Sequence, residues 1–588
     1  MKRQVLRAAL LSSLSVALLL TSCVPAWGSG VPAPTVESIP LVEPVPATAT
    51  PFQPEGYVPP PTATSVTDTP AIPPSATPVP QPSRTPTRTA TRGPDSLWVA
   101  PTVPLSLRST LLAQGMPAAV SAAAATIRFD LYDPQASFPN LYATWVYALV
   151  APFPTVADGV TAEVLRQAWS GAQVGPFAGR PLLMDESTLA AFTARWGAPG
   201  AGAVRSVPAG QLLATAWAER PAWAIVPFED LEPRWKVLAI DGQSPIREGF
   251  DQASYPLTIT FAFQAPNNPH FSLSLPATNR DRSKMTILVM TGVTALVRAT
   301  AYRMERRGLL YPGEAVRDVL VSADLTHISN EIPFAEGCPF PNPDSTSLVF
   351  CSDPRYIALL EDVGTDVVEL TGNHFQDHGS AATLMTIDMY EARDWPYYGG
   401  GRDLADSMEA ALLEHNGNKI AFIGCNPVGP EYAWAAEGRP GAAPCNDYAW
   451  MTAEIARLDA QGYLVVATMQ YNEYYISTPP SNQVRDFTRL AQAGADIVSG
   501  SQAHFPQAFA FDGDSFIHYG LGNLFFDQMN TPVPGTKREF IDRHILYDGR
   551  LISTEVLTYM LEDYSRPRPM TEMERLQLLE TIFEASGW

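Results

Sequence analysis

From residue 284 onward, short apolar runs alternate with longer amphipathic stretches, as in AVRDVLVSADLTHIS and NQVRDFTRLAQAGADIVSG. Short apolar runs are typical of buried strands, and apolar residues spaced three or four apart are typical of helices. The alternation therefore predicts an α/β fold with a largely parallel or mixed sheet covered by helices. The segment TEMERLQLLETIF predicts a final amphipathic helix, which opens with a capping box formed by Thr571 and Glu574.

Residues 98–280 show a second α/β pattern. The run LYATWVYALVAPF predicts a strand, and TAEVLRQAWSG predicts a helix that ends at a glycine. The segments AWAIVPFEDL and WKVLAIDG predict further strand–turn units. A smaller α/β domain is therefore expected ahead of the main domain at 285–562 and its C-terminal helix at 563–588. The change of pattern near residue 284 predicts that the two modules are separable.

The first 97 residues show neither pattern. Residues 1–22 carry Lys2, Arg3 and Arg7 ahead of an apolar run, which is typical of an export signal and short for a membrane span. The run ends in LLTSC, which resembles a bacterial lipobox in which Cys23 receives a lipid and becomes the mature N-terminus. A plain cleaved signal is the alternative. Residues 23–97 are rich in proline and threonine and predict a disordered linker.

Charge and cysteine content narrow the classes of function. The net charge of −21 over 588 residues argues against nucleic acid as a partner. After Cys23, four cysteines remain, and an even number in an exported protein predicts two disulfides. Nearest-neighbour pairing joins Cys338 to Cys351 and Cys425 to Cys445. Four cysteines allow three pairings, however, and the sequence does not choose among them.

Polar residues directly follow several apolar runs of the main domain. In an α/β sheet, binding sites form where loops leave the carboxyl ends of strands. A hydrogen-bonded loop residue is the simpler interpretation of His374 alone, but the repeated pattern favours a site. The polar residues in these positions are Glu331, Asn373, His374, Gln470, Asn472, Glu473, Gln502, His504 and Asn523.

Four of these segments carry a resemblance to the CapA-type capsule, or poly-γ-glutamate, biosynthesis proteins. VVELTGNHFQDHG is similar to the family's Asn-Asn-His-x-x-x-Asp-x-Gly element, and GADIVSGSQAHFPQ to its Gly-Ala-Asp-x-Val-x-Gly-x-His-Pro-His element. IHYGLGNLFFDQ is similar to its Tyr-Ser-Leu-Gly-Asn-Phe element, and WPYYGGGRDLADS to a Gly-rich turn. The resemblance covers residues 285–560 and implies an α/β sandwich similar to that of calcineurin-like metallophosphatases. Residues 98–280 more weakly resemble one lobe of a periplasmic solute-binding protein.

Departures from the family pattern change what the resemblance implies about metal. Val293 stands where the family has a metal-binding Asp, and Gln470 and Gln502 stand where it has histidines. Valine cannot bind a metal and glutamine brings no charge, so the remaining set would hold at most one divalent metal, Mn or Zn, or none. Asp377 would fix the ring of His374 or cap the next helix. The remaining implied metal ligands are Glu331, Asn373, His374 and His504.

The resemblance implies one of two functions on the outer face of the cell membrane. As a metal-dependent hydrolase or transferase in capsule or exopolymer biosynthesis, the protein would use His374 as a catalytic residue and Arg298 to neutralise developing negative charge. As a non-catalytic polymer-binding or scaffold protein, it would hold an anionic or glycan polymer through Gln470, Gln502 and Asn523. In both cases the N-terminal lipid would be its contact with the membrane.

Overall fold

The computed structural model describes residues 95–264 and 272–588. The predicted export signal and the lipidation site at Cys23 lie outside these residues, as does nearly all of the Pro/Thr-rich linker. Within the described ranges, no helix has both the length and the apolar character needed to cross a membrane.

The first part of the described chain forms a mixed nine-stranded sheet flanked by four α-helices. Its long third strand pairs with three neighbours and so joins the two halves of the sheet. The strands are β1 (Leu97–Val99), β2 (Ile127–Leu131), β3 (Ser137–Pro152), β4 (Gly159–Val160), β5 (Leu182–Met184), β6 (Val204–Ser206), β7 (Trp223–Pro227), β8 (Trp235–Ile240) and β9 (Thr258–Gln264). The helices are α1 (Leu105–Leu112), α2 (Ala162–Trp169), α3 (Glu186–Trp196) and α4 (Leu212–Ala218).

The second part contains the remaining strands and helices. The strands are β10 (Met285–Thr291), β11 (Val293–Thr294), β12 (Leu325–Asn330), β13 (Val367–Glu369), β14 (Tyr397–Tyr398), β15 (Gly400–Gly401), β16 (Ala411–His415), β17 (Asn418–Cys425), β18 (Gly441–Ala442), β19 (Leu464–Met469), β20 (Ile497–Ser499), β21 (Phe509–Asp512), β22 (Ser515–His518), β23 (Asn523–Phe525), β24 (Arg538–Tyr547), β25 (Arg550–Glu562) and β26 (Arg566–Pro569). The helices are α5 (Arg298–Arg307), α6 (Arg317–Val321), α7 (Ile357–Asp362), α8 (Gly379–Glu391), α9 (Leu404–Ser407), α10 (Ala449–Ala460), α11 (Ser481–Gln492) and α12 (Glu572–Ala585).

Two mixed sheets of the second part pack face to face. One has the order β14-β13-β12-β10-β24-β25-β26, and the other has the order β16-β17-β19-β20-β22-β21. Side chains alternate along a strand, so each strand contributes to two cores. Leu288 of β10 and Phe422 of β17 belong to the inner core between the sheets, whereas Val289 and Ile423 belong to the outer cores. Helices α5, α7 and α8 cover one outer face, and α10 and α11 cover the other. This helix–sheet–sheet–helix order confirms the predicted α/β sandwich.

The two parts of the chain share hydrophobic cores. Met285, Ile287 and Ile545 belong to the second part but pack into the core of the first. In the opposite direction, Phe153 follows β3 and packs into the inner core of the sandwich. All described residues also fall within one compact unit. This sharing argues against the expectation that the modules are separable.

Two local features agree with the predictions made from the sequence. The capping box of Thr571 and Glu574 is confirmed at the start of α12, and this helix packs its apolar face onto the inner core of the sandwich. The structure also forms the two nearest-neighbour disulfides, Cys338–Cys351 and Cys425–Cys445. The first of these closes a loop beside the ends of the central strands.

Candidate functional site

Polar side chains meet in one cleft at the carboxyl ends of the central strands. Strand β12 pairs in parallel with β13, and β19 pairs in parallel with β20, so within each sheet the loops after these strands leave at the same edge. Glu331, His374 and His504 all line a cleft of about 420 Å³, together with Arg298 and Glu473. Of the four ligands implied by the sequence, Glu331, His374 and His504 therefore lie together on the cleft, whereas Asn373 does not line it.

A buried ion pair lies at the centre of the cleft. His504 Nε2 lies 3.5 Å from Glu331 Oε1 and 3.8 Å from Glu473 Oε1, and its Nδ1 donates to Asn523 Oδ1 at 2.7 Å. Burial acts to lower the pKa of His504, but the two carboxylates outweigh it and raise the pKa to about 9. Burial acts to raise the pKa of Glu331, and His504 nevertheless holds it below its usual value. The pair is therefore charged at neutral pH.

His374 is held by a neighbouring carboxylate. Its Nδ1 lies 2.7 Å from Asp377 Oδ2, which also accepts the backbone N–H of Phe350 at 2.9 Å. The hydroxyl of Tyr432 donates to Asp377 Oδ1 at 3.2 Å. The N-cap of α8 is His378, so Asp377 orients the imidazole instead of capping the helix. Burial acts to lower the pKa of His374, but the hydrogen bond to Asp377 raises it above its usual value.

Arg298 forms one wall of the cleft through a bidentate ion pair. Its guanidinium donates to Asp527 at 2.6 and 3.2 Å, and it lies 5.0 Å from the ring centroids of both Phe350 and Phe526. Its backbone has a φ of +47°, an uncommon and strained conformation for a residue with a side chain. Because Asp527 already pairs its charge, Arg298 is less free to neutralise a ligand than the sequence suggests.

Sequence reasoning missed Asp527, Phe350 and Phe526. Asp527 follows the apolar run that ends β23, so the rule that identified the other site residues also applied to it. Phe350 carries no comparable signal, because it reaches the cleft only through the loop closed by the Cys338–Cys351 disulfide.

The three residues predicted to contact a polymer lie beneath the cleft. Gln470 and Gln502 are fully buried, and Asn523 is 1% exposed. Gln502 Nε2 donates to Ser329 Oγ at 2.6 Å, and Asn523 accepts from His504. None of the three lines the cleft surface, so their burial favours a supporting role over direct contact.

Several buried acceptor oxygens on these strand-end residues have no hydrogen-bond donor. They are both carboxylate oxygens of Glu331, Asn373 Oδ1, Gln470 Oε1 and Gln502 Oε1. A buried acceptor without a donor costs free energy, so such atoms call for a cation, a water or a ligand donor. Among the described residues, no group of three or more His, Cys, Asp or Glu side chains is arranged to hold a metal ion. Glu331 is the one carboxylate among these acceptors and the others are neutral amides, which is too little negative charge for a two-metal centre.

Comparison with known proteins shows what the sandwich is similar to. Residues 287–528 match the sequence model of the bacterial capsule synthesis protein PGA_cap. The capsule biosynthesis protein CapA of Bacillus anthracis is 26% identical over 300 residues, which cover 50% of this chain and 72% of that protein. The PGA biosynthesis protein CapA of Bacillus subtilis strain 168 is 25% identical over 173 residues, which cover 29% of this chain and 45% of that protein.

Solved structures show more distant likeness. A putative 5'-nucleotidase from Staphylococcus aureus in complex with alpha-ketoglutarate is 11% identical with a TM-score of 0.32, covering 51% of this chain and 58% of that chain. An ABC-type phosphate transport receptor from Vibrio cholerae is 13% identical with a TM-score of 0.23, covering 30% of this chain and 88% of that chain. Likeness at this level says nothing about function. The sequence matches do confirm the resemblance: residues 287–528 are similar to the CapA-type bacterial capsule synthesis proteins.

Proposed function

We propose that this protein acts in the assembly of a capsule-type exopolymer outside the cell, and that it binds the polymer in the cleft beside a single divalent cation. One observation carries the proposal: the carboxylate of Glu331 is fully buried on the cleft, and apart from the ion pair with His504 at 3.5 Å neither oxygen has a hydrogen-bond donor. The named roles of the relatives, capsule biosynthesis and PGA biosynthesis, support the biological part.

The cation would be held by Glu331, Asn373, His374 and His504, and His504 would release its proton when the ion binds. Mn²⁺ or Zn²⁺ fits this mixture of oxygen and imidazole donors. When bound, such an ion polarises an acceptor oxygen or lowers the pKa of a coordinated water.

The chain's own residues would orient the reacting groups. Asn523 keeps His504 Nε2 directed at Glu331, and Asp377 fixes the ring of His374 through Nδ1. Because Asp377 holds Nδ1, Nε2 is the nitrogen of His374 that remains to hold the cation. The wall formed by Arg298 with Asp527 is rigid, because two hydrogen bonds and two aromatic rings hold the guanidinium.

Measuring the metal content of the purified protein tests whether it binds a cation. The mature protein is saturated with Mn²⁺ or Zn²⁺, freed of excess ion and analysed for metal per chain. We expect one ion in the wild type and none in Glu331→Gln. Glu539→Gln is the matched control, because Glu539 is also buried with both oxygens unpartnered but does not line the cleft. It should keep the ion. Wild-type protein that binds no ion at saturating metal would refute the proposed cation site.

A second candidate is a polymer-binding protein without catalysis. It is favoured by the fully buried Val293, Gln470 and Gln502, which stand where the family has metal ligands. The two candidates share the same place in the cell, which we propose is the outer face of the membrane, with Cys23 lipidated. Deletion of the gene should reduce surface polymer, and Cys23→Ala should shift the protein out of the membrane fraction. Unchanged polymer on deletion would contradict both candidates.

A further inference from the structure

The candidate ligands of the cleft come from two different sheets. Glu331 follows β12 and His374 follows β13 in one sheet, whereas His504 follows β20 in the other. Two packed sheets hold together mainly through apolar side chains, and the hydrophobic effect has no preferred direction. The 3.5 Å approach of His504 Nε2 to Glu331 Oε1 therefore calls for directional contacts that fix the two sheet edges relative to each other.

A buried carboxylate outside the cleft lining joins the loops that carry the two histidines. Glu369 is the last residue of β13 and is fully buried. Its Oε1 accepts the hydroxyl of Thr371 at 2.7 Å, three residues ahead of His374. Its Oε2 accepts the hydroxyl of Ser501, three residues ahead of His504. The second of these bonds crosses from one sheet to the other.

The same carboxylate also contacts the strand that leads to Glu331. His327 of β12 places its Nε2 3.3 Å from Glu369 Oε2, and both side chains are fully buried. At the next inward position of β12, Ser329 Oγ accepts Gln502 Nε2 at 2.6 Å, which is a further bond between the sheets. Glu369 therefore contacts all three segments that deliver ligands to the cleft.

The donors around Glu369 suit an ionised carboxylate. Burial acts to raise the pKa of Glu369, but His327 and the two hydroxyls outweigh it and hold the pKa below its usual value. An ionised carboxylate accepts from all of these donors, whereas a glutamine would turn its own N–H groups toward one of them. Burying a charge costs free energy that an apolar residue would avoid, so stability alone does not account for this carboxylate.

We propose that Glu369 is a positioning residue that holds His374 and His504 in place relative to Glu331. The role rests on the proposed function and identifies the group that sets the geometry of its cation site. Glu369 does not touch the cation, because it acts through one hydroxyl on each histidine loop. Loss of either bond lets one imidazole move, which weakens a site whose ligands must keep a narrow range of distances.

Histidine NMR tests the positioning role without any metal. The full mature chain is labelled with carbon-13 at histidine Cε1, and the two signals are assigned from His374→Gln and His504→Gln. We expect Thr371→Val to shift the signal of His374 alone. Ser501→Ala should shift that of His504 alone, and Glu369→Gln should shift both.

The affinity for Mn²⁺ tests the consequence for the cation site. Free Mn²⁺ is measured by electron paramagnetic resonance during titration of the protein. Glu369→Gln should raise the Kd about tenfold or more, and Thr371→Val and Ser501→Ala should each raise it less. Asp542→Asn is the matched control: Asp542 is 1% exposed and pairs with the buried His518 at 2.6 Å across the sheets, but both lie within strands and do not line the cleft. It should lower the urea midpoint and leave the Kd unchanged.

Each arm can overturn the positioning role separately from the proposed function. If the wild type binds Mn²⁺ and Glu369→Gln binds it equally well, the positioning role is refuted and the cation site stands. Equal weakening in Asp542→Asn would mean a general loss of stability and would also refute the role. If the wild type binds no Mn²⁺, the cation site fails and the histidine signals decide: the expected pattern supports the role, and unchanged signals refute it. Should Glu369→Gln not fold, Thr371→Val and Ser501→Ala decide the same question.

Discussion

Replacing Phe153 by alanine is expected to destabilise both parts of the described chain at once. Phe153 is 2% exposed and belongs to the first part of the chain. Its ring centroid lies 5.3–5.8 Å from the rings of Phe509, Phe511, Phe516 and Trp588, all of which belong to the second part. The side chain therefore acts as an apolar bridge between the two parts.

The expected loss is large. Removal of a buried phenylalanine side chain costs about 3–5 kcal/mol, because transfer free energy is lost and a cavity remains. The free energy of unfolding of a typical domain is about 5–15 kcal/mol, so this is a substantial fraction of the whole. Aromatic edge-to-face contacts add about 0.5–1.5 kcal/mol each, which favours the upper part of the range. Phe153→Leu keeps most of the volume and should lose much less.

Urea unfolding followed by tryptophan fluorescence and far-UV circular dichroism measures the effect. We expect one transition in the wild type, which Phe153→Ala moves to lower urea with both probes together. Phe192→Ala is the control: Phe192 is also buried, and the aromatic rings next to it, those of Tyr147 and Trp196, belong to the first part. It should move the same single transition. Two separate transitions in the wild type, or a loss below about 1 kcal/mol in Phe153→Ala, would refute the shared core.

Three further predictions concern single groups. Arg298→Ala should lower the free energy of unfolding by about 1–3 kcal/mol, because the largely buried Asp527 carboxylate loses its ion-pair partner and keeps only the backbone N–H of Ala299. Thermal denaturation should show that part of this loss is recovered when Asp527→Asn is added. Burial lowers the pKa of His544 from 6.5 to about 4, so the unfolded chain binds a proton more readily between these values. Wild-type stability should therefore fall by about 3 kcal/mol from pH 6.5 to pH 4, and urea midpoints for His544→Phe should lack this part of the decrease. Thr571→Ala removes the cap of α12 and should cost about 1 kcal/mol in urea unfolding, whereas an unchanged midpoint would mean that the cap contributes nothing.

Much of the fold and part of the site follow from local rules. Apolar runs, caps and strand ends are encoded within a few residues, which is why the α/β sandwich, the capping box at Thr571 and the convergence of Glu331, His374 and His504 were predictable. The disulfide pairing was only favoured, because several pairings of four cysteines satisfy the same sequence.

The features that were missed depend on contacts between distant segments. In the sequence, Phe153 is the end of an apolar strand run. No local pattern predicts its five aromatic partners, which lie more than 350 residues away. The burial of Gln470 and Gln502 was also hidden, because a polar residue after a strand can point into the sandwich as well as out of it. Only the packing of two sheets decides between these directions.

In the inner layer of the sandwich, the apolar residues that stabilise the fold and the polar residues of the cleft lie at opposite ends of the strands. Inward positions of β12 begin with Leu325 in the apolar core and continue through His327 and Ser329 to Glu331 at the cleft. Burying the polar end without full hydrogen bonding costs free energy, whereas the low dielectric there strengthens the pairing of charged groups. The apolar end offsets that cost, and Phe153 packs into this same core. A stability defect at Phe153 should therefore leave ligand affinity in the cleft unchanged while the chain remains folded.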